Sequence, residues 1–325
     1  MRARLRVSVS ALLAAAITIP ATTVAAQPAW PTKPIRIIVA SGAGGGLDFV
    51  ARQVATPLSE ALGYSVVVDN RAGASGSIAA ELASQAAPDG YTLMALSASL
   101  VVYGVVNRTR YDLFRDFDPI TQIAASPYIL TVYPGLPVQS VKDLIAYAKA
   151  NPGKLNFAST GPASLAHLAG ELFALTTGTK LIHVPYKGVG AALPDMLAGR
   201  IQMSFLSGGS VYSQLRTQKL RALAIASTTR AKIAPELPTM IEAGVPGFVV
   251  TQWHGLLSPR GTPRAIIDRI QAETAKAVHR NDVASRLALD GTEPVASSPK
   301  EFAAHLRAEA QQWAKVAKAA NIGAN

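Results

Sequence analysis

A glycine-rich turn between a strand pattern and a helix pattern is the feature that most constrains the fold of this chain. The turn, Ser41-Gly42-Ala43-Gly44-Gly45-Gly46, follows the apolar run 35–40 and precedes a helix predicted from Asp48. Such a junction points unpaired backbone N–H groups and the positive end of a helix dipole at one place. The junction therefore predicts an α/β unit in which this turn binds an anion.

Strand-like and helix-like segments continue to alternate along the chain, which predicts an α/β fold throughout. Two longer extended runs, 120–133 and 248–257, have the length to connect two lobes. Pro57 lies inside the first helix pattern and should kink the helix or end its regular part early. Three further helix starts are predicted, at Ser140, at Thr262 as N-cap with Pro263 at N1, and at the capping box Ser298-Pro299-Lys300-Glu301.

The first 26 residues have the pattern of a secretory signal peptide. Basic residues at Arg2, Arg4 and Arg6 precede a short apolar run, and small residues end at Ala26. We expect cleavage after Ala26 and export of the remaining chain. An uncleaved N-terminal anchor is the alternative, although the apolar run is shorter than the roughly 20 residues that a membrane span needs.

The composition narrows the class of function. The chain contains no cysteine, so it has no disulfide framework, thiol nucleophile or thiolate metal site. Its formal net charge is +11, and the basic residues are scattered along the sequence, as on a solvated surface. Scattered charge and export together argue against a nucleic-acid-binding role.

Motifs for catalysis and for cofactors fail at identifiable positions. Leu47 stands where the third glycine of a dinucleotide fingerprint belongs, and Ser77 ends what would otherwise be a Gly-x-Ser-x-Gly elbow beginning at Gly73. The five histidines show no metal-ligand spacing, and His167 is expected to pack or to hydrogen-bond locally. No enzyme activity, metal or cofactor is therefore expected.

Three more loops share the small residues and hydroxyls of the first turn, at 73–77, 97–99 and 159–164. Ligands of open α/β sheets bind at the carboxyl ends of the strands, where such loops converge. A cleft lined by these loops would offer many N–H and O–H donors, which suits a carboxylate. Asp48 has two readings: it stabilises the helix dipole, or it holds the glycine turn in shape.

Several segments resemble the tripartite tricarboxylate transporter receptor family, also called the Bug-type extracytoplasmic solute receptors. The resemblance runs from Trp30 to the end of the chain and is specific because the segments occur in the family's order. They are 30–39, Gly44-Gly45-Gly46-Leu47-Asp48, 69–76, 87–93, 167–173, His183-Val184-Pro185-Tyr186-Lys187-Gly188, 220–224, 237–244 and Trp253-His254-Gly255.

The resemblance implies a two-lobed, type II-like periplasmic binding protein, each lobe a mixed sheet flanked by helices, that closes like a Venus flytrap about two crossover strands. It implies lobe one at 27–125 plus 251–325 and lobe two at 126–250. It implies a monomeric receptor that captures a small organic acid and presents it to an integral-membrane permease of a tripartite uptake system, without enzyme activity. A sensor-kinase co-receptor and a secreted hydrolase or lyase are the alternatives.

Ligand contacts carried over from the family fall on both lobes. Tyr186 and Lys187 either form the rim of the site or pack the second lobe. Leu206-Ser207 replaces a pair in which many members carry an aspartate, which argues against an amino-acid ligand. Ser41-Gly42-Ala43 replaces the usual prolines, and Ala163 a common glycine. The expected contacts are Ser41, Gly42, Gly44, Gly45, Asp48, Ala74, Ser75, Ser97, Ser159, Gly161, Ser164, Tyr186, Gly188 and Ser207.

Overall fold

The computed structural model describes residues 30–231, 234–289 and 291–323. The predicted signal peptide at 1–26 lies outside the described residues. From Pro31 onward the chain forms one compact unit. In the part of the chain that the structure describes, no helix combines the length and apolar character needed to cross a membrane.

The described residues form strands that alternate with helices, as the sequence predicts. The strands are β1 Ile35–Val39, β2 Val66–Asn70, β3 Thr92–Ser97, β4 Phe117–Val132, β5 Leu155–Ser159, β6 Leu181–Pro185, β7 Met203–Ser207, β8 Arg221–Ile225, β9 Thr251–Pro259 and β10 Glu293–Pro294. The helices are α1 Gly46–Leu62, α2 Ser77–Ser84, α3 Ala98–Val106, α4 Val141–Ala150, α5 Leu165–Thr177, α6 Val189–Leu197, α7 Gly208–Arg216, α8 Arg264–Val278, α9 Asn281–Leu289 and α10 Pro299–Ala319.

The strands pair in the order β2-β1-β3-β9-β4-β7-β5-β6, and β8 and β10 also pair with β4. Strands β1, β2 and β3 are parallel to one another, and so are β5, β6 and β7. Strand β9 is antiparallel to both of its neighbours, and β4 is antiparallel to β7. The fold is therefore α/β with mixed sheet pairing, as predicted.

Strand β4 joins the two parallel groups because it changes partner along its length. Up to Pro127 it pairs with β9, and from Tyr128 it pairs with β7 and β8. Val250 is hydrogen-bonded there to Tyr128 and Ala226, which brings the returning chain to the same point. This change of partner lies next to the predicted boundaries at 125/126 and 250/251, which stay a prediction.

The structure confirms two of the three predicted helix caps and corrects the third. Ser140 caps α4, and Ser298 with Glu301 forms the predicted capping box of α10. The predicted start of α8 is wrong by one residue: Pro263 is the N-cap, because Thr262 donates its hydroxyl to the Pro259 carbonyl instead. Helix α1 continues past Pro57, which is buried in the core, as far as Leu62.

Two aromatic clusters hold β9 and the chain that precedes it. The rings of Phe173, Phe205 and Phe248 pack with centroids 5.1 to 6.2 Å apart. Trp253 meets Phe302 edge-on at 5.5 Å, and both side chains are fully buried. The buried Trp253 ring packs β9 against the core.

Candidate functional site

The first turn of α1 is open to a ligand because its N-cap has no side chain. Gly45 occupies the N-cap with extended backbone and makes no side-chain cap hydrogen bond. The first N–H groups of a helix have no partner inside the helix, and the helix dipole is positive there. Gly44 has φ +80°, a conformation that favours glycine, so the turn depends on glycine at this position.

Asp48 holds this turn in shape and does not line the adjoining cavity. The residue is 4% exposed, and its carboxylate accepts hydrogen bonds from the Gly44 N–H at 2.8 Å, Asn70 Nδ2 at 2.9 Å and Arg52 Nε at 3.0 Å. Asn70 Nδ2 also reaches the Ser41 carbonyl at 3.2 Å. Burial raises the pKa of Asp48, but the hydrogen bonds from Arg52, Gly44 and Asn70 outweigh it and hold this pKa below its usual range.

Strand register brings a set of polar side chains to one face of the sheet beside this turn. Ser97 of β3 is opposite His254 of β9, and Gln252 is opposite Ser126 of β4. Partners in register share a face, and so do residues two apart on a strand. Ser207, at the end of β7, is opposite Tyr128 and so lies on the same face. We call Ser97, Ser126, Ser207, Gln252 and His254 the polar floor.

The turn and the polar floor line one cavity of about 700 Å³, within the usual range for small-molecule sites. Three residues near the C-terminal end of the chain complete the lining: Arg286, Leu289 and Thr292. The walls from the α1 junction are Ser41, Gly44, Gly45, Gly46, Leu47 and Phe49.

The described lining carries a positive charge and neutral donors but no acidic side chain. Arg286 supplies the charge and donates to Gln53 Oε1 at 3.3 Å. Burial lowers the pKa of His254 to about 4, so this imidazole is neutral at neutral pH. Across the described residues, no group of three His, Cys, Asp or Glu side chains could hold a metal ion.

Five predicted contacts line this cavity: Ser41, Gly44, Gly45, Ser97 and Ser207. Four others, Asp48 among them, lie close by without lining it. Ala74 and Ser75 belong to a short 3₁₀ turn, and Gly76 at its end packs against Ala40, the last residue before the glycine turn. Gly42 faces Ala72 of the same loop.

The remaining predicted contacts gather at the carboxyl ends of β5 and β6, outside this cavity. Ser159 Oγ accepts from the Gly161 N–H at 3.1 Å, and Ser164 caps α5 by accepting from the His167 N–H at 3.2 Å. The Tyr186 hydroxyl donates to Asp195 at 2.7 Å, which supports the packing role for this side chain. Gly188 is the N-cap of α6, with φ +105°.

Two stacked histidines support the β5–α5 loop. The His167 and His183 rings lie 3.6 Å apart, and His183 Nε2 is 2.6 Å from Ser159 Oγ. The Ala163 N–H donates to His167 Nδ1 at 3.0 Å, which agrees with the local hydrogen-bonding role expected of His167. Burial, and then the neighbouring His167, lower the pKa of His183 to about 4. The hydroxyls of Ser159 and Ser164 are therefore already engaged in hydrogen bonds within the protein.

Sequence reasoning missed several of the lining residues. Gln252 and His254 alternate with the buried Trp253 on β9, and that alternation was the available signal. Ser126 is one of several polar residues of β4. Arg286 and Leu289 lie on α9, a helix that the sequence pattern did not separate from α8. Phe49 and Thr292 carry no distinguishing pattern.

Comparison with known proteins identifies the family. The family model of the tripartite tricarboxylate transporter family receptor matches residues 50–322. Protein BugT of Bordetella pertussis is 36% identical over 292 residues, which are 89% of this chain and 90% of that protein. The structure of R. palustris Rpa4515 with adipate is 36% identical, with a TM-score of 0.77 and coverage of 90% of this chain and 99% of that one.

A second solved structure, MatC from Rhodopseudomonas palustris with bound malate, is 28% identical, with a TM-score of 0.72 and coverage of 88% of this chain and 99% of that one. The family model describes a receptor, not an enzyme, and both of these neighbours were solved with a carboxylate. The chain therefore belongs to the tripartite tricarboxylate transporter receptor family.

Proposed function

We propose that this protein is a periplasmic receptor that binds a small organic acid in the cavity between the α1 turn and the polar floor, and presents it to the membrane permease of a tripartite uptake system. The observation that carries the proposal is the bare N-cap of α1, which opens onto a cavity of about 700 Å³. A carboxylate there meets backbone N–H groups and the positive end of the helix dipole together.

Recognition needs no reactive side chain. One carboxylate oxygen accepts from the first-turn N–H groups of α1, while the hydroxyls of Ser41 and Ser97 are placed to serve the other. Each charge-assisted hydrogen bond contributes about 1.5–3 kcal/mol before desolvation and ordering are counted. Lost freedom on binding offsets much of this, so we expect micromolar affinity, or about −8 kcal/mol.

The class of ligand follows from the charges of the lining. The described lining holds Arg286 and no carboxylate, so it favours an acid over a ligand with a free ammonium group. Two neighbours in the family, solved with adipate and with malate, support the same class. We therefore propose organic acids without an amino group as the ligands.

Closure of the two predicted lobes brings the second set of loops to the ligand. Strand β4 changes partner between Pro127 and Tyr128, which makes this point the natural hinge. Ser159, Gly161, Ser164, Tyr186 and Gly188 lie on the far side of that hinge. In this proposal they close over a ligand that the α1 turn has already bound.

Calorimetric titration of the purified protein with dicarboxylates, aromatic acids and amino acids tests the proposal. We expect micromolar binding of at least one acid, weakened about 10-fold by Ser97→Ala, which removes one donor. Ser99→Ala is the matched control, because Ser99 lies two residues further on and outside the lining. An absence of heat and of thermal shift with every acid would contradict the proposal.

Two cellular measurements test the remaining parts. Cell fractionation should recover the protein in the periplasm. Deletion of its gene should abolish uptake of the radiolabelled acid, and deletion of the cognate permease should have the same effect. Uptake that continues unchanged without the receptor would contradict the transport role while leaving the binding role in place.

A further inference from the structure

Two polar atoms of the polar floor are buried without any hydrogen-bond partner. Ser126 is 3% exposed and its Oγ is unpaired, and His254 is 5% exposed and its Nδ1 is unpaired. Buried polar groups in folded proteins are nearly always hydrogen-bonded, because leaving one unpaired is costly. The unpaired Ser126 hydroxyl in the wall of a cavity indicates that a ligand completes its hydrogen bonding, and the unpaired Nδ1 indicates which ring nitrogen of His254 carries the proton.

Their position relative to the α1 turn fixes which part of the ligand they meet. A Cβ atom on Gly46 would lie 3.8 Å from His254 Nε2, so the imidazole stands directly beside the first turn of α1. Ser126 lies on the same sheet face, opposite Gln252 and one pleat away from His254. His254 therefore lies next to the carboxylate position, and Ser126 lies beside it on the same face.

The chemistry of the pair suits an uncharged oxygen. The buried Nδ1 has no partner, and a bare lone pair is easier to leave unpaired than an N–H, so the proton belongs on Nε2. A neutral imidazole N–H then donates, while the serine hydroxyl can donate or accept. The low pKa of His254 agrees with this neutral state. A second charged group placed here would lose its hydration without an ionic partner.

We propose that Ser126 and His254 form a subsite for a hydroxyl or keto oxygen on the carbon next to the bound carboxylate, so that this receptor selects 2-hydroxy and 2-oxo acids. The inference rests on the proposed carboxylate site at α1 and adds the identity of the neighbouring group.

Matched acids of equal charge and length test the selection. Calorimetry would compare succinate with malate, glutarate with 2-hydroxyglutarate and 2-oxoglutarate, and propionate with lactate and pyruvate, alongside 3-hydroxyglutarate as a positional control. The best 2-substituted acid should bind at least about 10-fold more tightly than its unsubstituted partner and than the 3-substituted isomer. Equal affinities within every pair, or an equal preference for the 3-hydroxy isomer, would overturn the inference.

Two variants and a matched control separate recognition from folding. Ser126→Ala and His254→Phe should each weaken binding of the 2-substituted acid at least about 5-fold more than binding of the unsubstituted acid. Because each removes an unpaired buried polar atom, the melting temperature of the ligand-free protein should stay level or rise. If Ser126 or His254 served only the fold, its substitution would instead lower the stability and leave the preference intact. That result would overturn the inference.

Thr274→Val is the control variant, because Thr274 of α8 is also fully buried with an unpaired hydroxyl but does not line the cavity. It should leave both the affinities and the preference unchanged. A change of preference in this variant equal to that of Ser126→Ala would overturn the assignment. If no acid binds at all, the proposed function fails; if acids bind without regard to the 2-oxygen, the function stands and this inference alone fails.

Discussion

The N-termini of α1 and α5 are similar in sequence, but their hydrogen bonding differs. Each follows a parallel strand and a loop of small residues and hydroxyls. At α5, Ser164 caps the helix and Ser159 accepts a hydrogen bond from the Gly161 N–H. These two serines are therefore used in local hydrogen bonds. At α1 the N-cap is Gly45, the supporting carboxylate of Asp48 lies behind the turn, and the first-turn N–H groups face a cavity.

The difference shows that the number of donors in a loop does not decide whether the loop binds a ligand. What decides is whether neighbouring side chains already use those donors. At α5 the partners are His167 and His183, which occupy Ser159, Ala163 and Ser164. At α1 a glycine N-cap leaves the equivalent groups available.

The largest expected effect comes from removing the support of the α1 turn. Asp48→Ala removes the acceptor of the Gly44 N–H and the shared acceptor of Arg52 and Asn70, and should lower the free energy of unfolding by about 3 kcal/mol. Because the turn is then free to move, acid binding should fall at least about 100-fold. Urea denaturation and calorimetry measure the two effects.

Asp143→Ala is the matched control, because this exposed first-turn aspartate of α4 also accepts an N–H from four residues earlier, Gln139. It should cost far less stability and leave acid binding unchanged. Equal losses in the two variants would show that Asp48 serves only its helix.

Acid should destabilise the surroundings of both helix starts, since each contains a histidine that is neutral when folded. The pKa of His254 is about 4 in the folded protein against about 6.5 unfolded, so the unfolded chain takes up the proton first. The contribution of neutral His254 to stability is complete above about pH 6.5, the pKa of the unfolded state, and declines as the pH falls towards 4. At pH 5 His254 should therefore cost about 2 kcal/mol of unfolding free energy relative to pH 7.5.

Urea denaturation across this pH range checks the prediction, with His254→Phe as the comparison. The variant should lose less stability between pH 7.5 and pH 5 than the wild type does, and the remaining loss should include that from His183, whose pKa is also lowered to about 4. Parallel pH profiles for the two proteins would show that His254 is not buried in its neutral form.

Giving α1 a cap of the α5 kind is the most direct way to break the comparison. Gly45 has φ −79° and ψ 164°, which other residues adopt freely, and an added Cβ would come no closer than 3.4 Å to the Gly42 carbonyl. The hydroxyl introduced by Gly45→Ser would accept a first-turn N–H and compete with the ligand carboxylate. Acid affinity should fall about 10-fold while stability stays level or rises by a few tenths of a kcal/mol. Unchanged affinity in calorimetry would mean that the ligand does not use these N–H groups.

The sequence predicts well what depends on neighbours along the chain. The strand–glycine–helix junction at 41–48, the cap at Ser140 and the capping box at Ser298 each involve residues a few positions apart. Backbone geometry and hydrogen bonding within one turn decide these features, so composition and spacing are enough to find them.

The polar floor could not be predicted because it depends on register between distant strands. Ser97, Ser126 and His254 belong to three strands, and only the pairing of β3, β9 and β4 places them on one face. A similar limit applies to the β5–α5 loop. Its serines have the composition of a ligand loop, and their engagement depends on His183, which β6 brings from elsewhere in the chain.

The smallest expected effect concerns the cap of α5 and tests the other half of the comparison. Ser164→Ala removes the acceptor for the His167 N–H, and losing such a cap costs about 1 kcal/mol of stability. Because Ser164 is engaged in capping and lies outside the cavity, acid affinity should change less than about 2-fold. Thermal unfolding and calorimetry on the same preparation separate the two effects. A loss of affinity near 10-fold with little loss of stability would show that Ser164 contacts the ligand, as the sequence suggests, and that the α5 loop gives up its own hydrogen bonds when the lobes close.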